Sequence, residues 1–233
     1  MAEIVEVSGN IFSSDCQVIV NTVNCVGVMG AGIALECRYR FREMFDRYAE
    51  ICAVGQLAPG KLFLWPHSTP WVLNFPTKVH WKDDSSLDII RAGLQKFATS
   101  YQERRISSIA FPRLGTSHGG LAWDCVRPLM YKILNPLAAL RIEIFGFDPR
   151  SPDLLFPRLV RLADGLDETS LARRLSLRTP QAKAIRVALD SGAVGNMVAL
   201  QQAEGVGVKT VERIYSVLCN AEQSESWKQL ELF

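Results

Sequence analysis

Asn21-Thr22-Val23-Asn24-Cys25-Val26-Gly27-Val28-Met29-Gly30-Ala31-Gly32-Ile33-Ala34 decides how this chain is read. Before it, Cys16-Gln17-Val18-Ile19-Val20 is a short β-branched run that suits a buried strand. After it the spacing turns helical, with Ile33, Phe41 and Phe45 among the apolar positions. The segment therefore predicts a strand, a glycine-rich loop and a helix. Glycines permit a close approach that a Cβ forbids, and a helix opening there aims unpaired N–H groups at the loop, which makes a seat for a diphosphate. Asn21 and Asn24 add side-chain amides at the strand end, able to donate to and accept from ribose hydroxyls. A sugar diphosphate fits this set better than bare phosphate. The glycine spacing matches neither a P-loop nor G-x-G-x-x-G. A tight strand-to-helix connection with no ligand is the competing reading.

Working outward, Ile4-Val5-Glu6-Val7 predicts a first strand closed by the turn Ser8-Gly9-Asn10. Lys61–Trp65 and Trp71–Phe75 read as strands, Ser86–Arg104 as a helix with Leu87, Ile90, Leu94 and Phe97 on one face, and Ile106–Phe111 as a strand. A second glycine loop, Gly115-Thr116-Ser117-His118-Gly119-Gly120-Leu121, leads into a helix over Trp123–Leu134, and Arg141–Phe147 is a final strand. Alternating strands and helices argue for α/β architecture, with helices covering a mixed sheet. Both glycine loops follow strand C-terminal ends, where ligands collect in such sheets. Lys78, in Phe75-Pro76-Thr77-Lys78-Val79-His80-Trp81, stands at a strand end between aromatic residues. There it would be partly desolvated, the setting in which an amine acts as nucleophile or base. A solvated surface lysine is the plain alternative. His118 is a further candidate acid or base by residue type.

The chain has 233 residues, 48% hydrophobic and 21% charged, with a net charge of +2, which is globular composition without a strong overall field for nucleic acid. The start has no basic segment followed by an apolar one, and no apolar run reaches spanning length, so a soluble cytoplasmic protein without a membrane partner is expected. Six cysteines without a C-x-x-C pair predict reduced thiols, no metal and no bound cofactor.

The pattern N-x-V-N-x-x-G-x-M-G-x-G-I-A resembles the first ligand loop of the macrodomain family, whose members bind ADP-ribose, and N-F-P-T-K-x-H-W is similar to the segment that supplies a catalytic lysine in the branch of antitoxin macrodomains reversing DNA ADP-ribosylation. The likeness spans about residues 1–150 and implies a three-layer sandwich. It implies Lys78 and His118 as catalytic candidates, with ADP-ribose held by Asn21, Asn24, Val28, Met29, Gly30, Ala31, Gly32 and Ile33 of the first loop. Thr77 would stand beside the lysine, and Gly115, Thr116, Ser117, Gly119, Gly120 and Leu121 would form the second diphosphate loop. Asn10 and Ile11 fall at the adenine end, where the family more often carries Asp; Asn10 as a turn residue only is the alternative. Phe147 could stack on adenine, or pack in the core. Gly119 replaces the catalytic Asp of a related glycohydrolase, so a mechanism needing that carboxylate is not expected. The implied activity is release of ADP-ribose from modified DNA bases; a toxin is a candidate partner, but toxin binding is not carried over by the resemblance. The alternatives are a non-catalytic ADP-ribose reader, or a hydrolase of O-acetyl-ADP-ribose or of ester-linked protein ADP-ribose.

Asp148-Pro149-Arg150-Ser151-Pro152-Asp153 reads as a linker, and residues 151–233 as a small all-helical region. Within it, Leu200 to Ile214 resembles a helix-hairpin-helix, L-x-x-x-x-G-h-G-x-K-T-h, which implies phosphate contacts from Gly205, Gly207 and Lys209 without base reading. Arg173, Arg174, Arg178, Lys183 and Arg186 could add to them. A hairpin that only packs, or that grips a protein, is the alternative. The region does not resemble the C-terminal domain of the antitoxin branch.

Overall fold

A computed structural model describes residues 1–219 and 231–232. It divides into two units, Met1–Gly146 with the strand at 231–232, and a helical unit running from Phe147.

The first unit is built on a seven-stranded sheet in the order β1-β6-β5-β2-β4-β3-β7. The strands are β1 Glu3–Gly9, β2 Val18–Val23, β3 Phe63–Trp65, β4 Trp71–Pro76, β5 Ser108–Pro112, β6 Arg141–Phe147 and β7 Glu231–Leu232. β2 pairs parallel with β4 and with β5, and β5 pairs parallel with β6, while β3 runs antiparallel to both β4 and β7. The mixed sheet is as expected, but β7 lies in a region the sequence reads as helical. The parallel strands put their C-terminal ends at one edge, and both glycine loops leave from there.

Alternation along the strands sorts side chains into two cores. Val18, Val20, Leu73, Phe75, Phe111 and Ile144 pack with α3 (Leu87–Ser100) and α4 (Trp123–Leu134) on one face. Ile19, Val23, Val72, Ala110 and Phe145 pack with α1 (Gly32–Arg40) and α2 (Arg42–Ala53) on the other. The result is a three-layer α/β/α sandwich. The long helix expected after the first loop is two helices, because the backbone leaves helical angles at Phe41 (φ −128°, ψ 67°), whose ring is buried in the core. α3 starts where the sequence suggests, with the Ser86 hydroxyl accepting from Asp88 N–H, and ends earlier, at Ser100.

The second unit carries α5 Phe156–Ala163, α6 Glu168–Arg174, α7 Thr179–Asp190, α8 Met197–Gln201 and α9 Val208–Cys219. The 148–153 stretch is no loose linker. Asp153, 4% exposed, accepts from Leu155, Phe156 and Met197 N–H, and the Asn196 amide donates to the Pro149 and Ser151 carbonyls at 2.9 Å. Among the described residues no helix is long and apolar enough to cross a membrane, and no disulfide joins the cysteines.

Candidate functional site

The first loop is shaped by Asn24. Its side-chain oxygen accepts from Val26 N–H (3.0 Å) and Val28 N–H (3.3 Å), its amide nitrogen donates to Val28 O (2.5 Å), and the Tyr48 hydroxyl donates to its backbone and side-chain oxygens. Burial pushes the Tyr48 hydroxyl well up, so it stays a donor. The Asn24 side chain thus shapes the loop, and its amide keeps one further N–H beyond the one given to Val28 O. Met29 is buried under the same loop, while Val28, Gly30, Ala31 and Gly32 are exposed and Ile33 half-buried. Burial also raises the Cys25 thiol, to about 11.

Asn21 lies fully buried on β2 in register with Asn74 of β4, to which its amide donates at 2.9 Å. Its side-chain oxygen has no partner among the described residues. A buried carbonyl oxygen left so costs about 1–3 kcal/mol, and an acceptor of this kind next to an exposed loop suits a ligand hydroxyl. Asn10 plays the turn role, capping a short 3-10 turn by accepting from Phe12 N–H at 3.0 Å; Ile11 is buried beside it. Phe147 is 61% exposed at the end of β6, so it is no core residue.

Two helices begin at the loops without a side-chain cap: α1 after Ala31 and α4 after Ala122. α3, α6 and α8 are each capped by Ser, Asp or Asn. An alanine cap leaves the first N–H groups to solvent or to an anion. The second loop folds tightly on itself, with Leu121 N–H donating to Gly115 O at 3.0 Å and Thr116 Oγ1 to Arg113 O at 2.9 Å. A Cβ on Gly119 would collide with Ser85 Oγ and with the Gly115 carbonyl. Ser117 is exposed, and so is Gly120, which has φ +73°.

Lys78 brings the pieces together. Its ammonium donates to Asp83 O at 2.5 Å and to His118 O at 2.7 Å, so an amine at the end of β4 is anchored to the second glycine loop forty residues on. An ammonium has three N–H groups, and one remains for a ligand. The His118 ring in turn stands over the first loop: a Cβ built on Gly32 would be 3.2 Å from its Cδ2. Both loops and the lysine therefore meet at His118. Thr77, 4% exposed, ties the same point to β2 by donating its N–H to Val23 O.

The expected aromatic shelter of Lys78 is corrected. Phe75 points into the core against Gly93, as strand alternation dictates, and Trp81 is 49% exposed. The sequence reading missed the 79–86 loop as a site element: Asp83 supplies a carbonyl to Lys78, its carboxylate accepts from His80 N–H, and Ser85 Oγ is buried beside Gly119 with no partner among the described residues. The signal was the polar run His80-Trp81-Lys82-Asp83-Asp84-Ser85-Ser86 directly after the lysine.

In the helical unit, Gly205 turns with φ +76° between α8 and α9, Gly207 precedes α9, and Lys209 is exposed. Both glycines thus lie in the turn between two helices. Arg186 is not available for phosphates, since it donates to the Ala163 and Leu166 carbonyls.

The Macro domain family model matches residues 20–130. The macrodomain of Thermus aquaticus DarG aligns over 63% of this chain and 99% of its own, with a TM-score of 0.60 and 34% identity. Thermosipho africanus DarTG in complex with ADP-ribose aligns over 62% of this chain and 42% of its own, with a TM-score of 0.58 and 33% identity. The DNA ADP-ribosyl glycohydrolase of Mycobacterium tuberculosis is 43% identical over 142 residues, 59% of this chain and 40% of that protein. The chain thus spans about 40% of the length of the curated relatives it matches. Taken with the sandwich and the two loops at one edge of its sheet, these likenesses make the chain a member of the macrodomain family.

Proposed function

We propose that this protein is an ADP-ribosyl glycohydrolase acting on ADP-ribosylated DNA bases. The observation that carries the reading is the meeting of Lys78 with both glycine loops at His118. The uncapped starts of α1 and α4 would face the diphosphate, and the unpartnered oxygen of Asn21 would accept from a ribose hydroxyl. The remaining N–H of Lys78 would then donate to the base as it leaves the anomeric carbon of the distal ribose. The bond from that carbon to the base breaks; water supplies a hydroxyl to the sugar and a proton to the base. His118 holds the lysine through its carbonyl, so its imidazole would be a wall of the site and a secondary contributor. The relatives named as DNA ADP-ribosyl glycohydrolases, and one named as a fusion with a DNA ADP-ribosyl transferase, support the DNA substrate and a DNA ADP-ribosyl transferase as partner.

A second reading has support of its own. Two bonds from Lys78 to carbonyl oxygens are also what a clamp between loops would make, and a reader of ADP-ribose needs no more than that. Turnover separates the two. The full chain is expected to release ADP-ribose from thymidine-linked or guanosine-linked oligonucleotides faster than from ester-linked protein or O-acetyl-ADP-ribose. Tight binding of ADP-ribose with no release from any of the four would leave the reader.

A further inference from the structure

The helical unit contains its hairpin twice. Residues 171–190 and 200–219 correspond at a constant offset of 29: α7 and α9 are both twelve residues long and start and stop in that register. The turn before each helix has one left-handed residue, Ser176 (φ 53°) and Gly205 (φ 76°). Leu171 matches Leu200, Ala182 matches Val211 and Ile185 matches Ile214, and all six are completely buried. The bonds opening the helices also repeat. Gln181 N–H to Arg178 O and Thr210 N–H to Gly207 O are both 2.9 Å, and the next pair, Ala182 to Arg178 and Val211 to Gly207, are both 3.1 Å. Finally the Gln181 amide donates to Thr210 Oγ1 at 2.8 Å. These two occupy equivalent positions, and a contact between equivalents is what an approximate two-fold axis produces.

The copies differ in charge. Between 171 and 185 stand Arg173, Arg174, Arg178 and Lys183 with no acidic residue, all four exposed. Between 200 and 214, Lys209 and Arg213 are offset by Glu204 and Glu212. Asp167 lies near Arg173, whereas the side chains of Arg174, Arg178 and Lys183 have no hydrogen bond or ion pair among the described residues. The glycine motif and the positive charge are thus on different hairpins. Ser176 and Arg178 stand where the motif has its glycines.

We propose that the paired hairpins form a surface for the two backbones of duplex DNA, and that Arg174, Arg178 and Lys183 of the hairpin lacking the motif neutralise most of the phosphate charge. Duplex strands are themselves related by two-folds, so a two-fold pair of hairpins matches them in symmetry. Contacts of this kind position without reading sequence. The choice of DNA over another polyanion rests on the DNA substrate proposed above.

The test is anisotropy of an unmodified, labelled duplex titrated with the full chain over a range of salt. The Arg174→Ala/Arg178→Ala/Lys183→Ala variant is expected to bind at least about tenfold more weakly at low salt, with its salt slope reduced by about 2 to 3, while Lys209→Ala reduces the slope by about 1. Helical circular dichroism and the melting midpoint should stay at the wild-type values in both, which shows that the helical unit folds, and ADP-ribose binding by calorimetry should be unchanged. A loss from Lys209→Ala as large as that from the triple variant would overturn the assignment. So would single-stranded DNA binding as tightly as duplex, or the absence of salt-dependent duplex binding, which would give the basic hairpin to an acidic protein. No turnover is measured, so failure of the glycohydrolase activity and failure of this surface are distinguishable.

Discussion

A Cβ on Gly30 would stand in open space, with Val28 Cγ1 nearest at 3.8 Å, whereas one on Gly119 would overlap the protein's own Ser85 and Gly115. The two glycines look interchangeable in the sequence, yet they test different things. Gly30→Glu should leave the melting temperature within a degree or two and abolish ADP-ribose binding by calorimetry, because bulk and negative charge enter only where the diphosphate would lie. Gly119→Glu should lower both, since the second loop cannot close. Retained affinity in Gly30→Glu would mean that the first loop holds no ligand. His118 is similarly divided between backbone and side chain. Because its carbonyl, not its imidazole, grips Lys78, His118→Ala should keep turnover within about tenfold of wild type, less than the 10²–10⁴-fold that general acid–base catalysis typically contributes. A larger loss with binding intact would return the imidazole to the chemistry.

At the scale of elements, Gly93 of α3 sits where any side chain would overlap the Phe75 ring of β4. Gly93→Ala is therefore expected to destabilise by about 1–3 kcal/mol through overpacking, read as a shift in urea midpoint at unchanged slope. An unchanged midpoint would mean that the contact relaxes freely. The elements themselves were largely legible. β4, β5 and β6 carry β-branched or aromatic residues at strand spacing, and α4 begins and ends at Trp123 and Leu134 as its periodicity says. The break at Phe41, a buried residue, was not, because no glycine or proline marks it. Nor could the sequence say that Asn24 shapes the loop while Asn21 keeps a free oxygen, since both are asparagines at a strand end and only folding separates them. The anchoring of Lys78 to residue 118 joins two loops that local spacing cannot relate. The first hairpin of the helical unit escaped because Ser176 accepts a left-handed backbone that motifs reserve for glycine.

Over the whole molecule, a macrodomain fold is joined in one chain to a helical unit with its own basic surface. On the proposed function the rim would hold the nucleotide and act on its sugar, and the hairpins would hold the strand. Disabling the lysine should therefore leave both kinds of binding in place. The most direct measurement is single-turnover release of ADP-ribose from a modified oligonucleotide by wild type and by Lys78→Ala, with ADP-ribose affinity measured on the same samples. The account predicts that release falls by at least about a hundredfold, the loss expected when a group acting in the transition state is removed, while affinity changes by less than about fivefold. Release at the wild-type rate by Lys78→Ala, with binding intact, would contradict it.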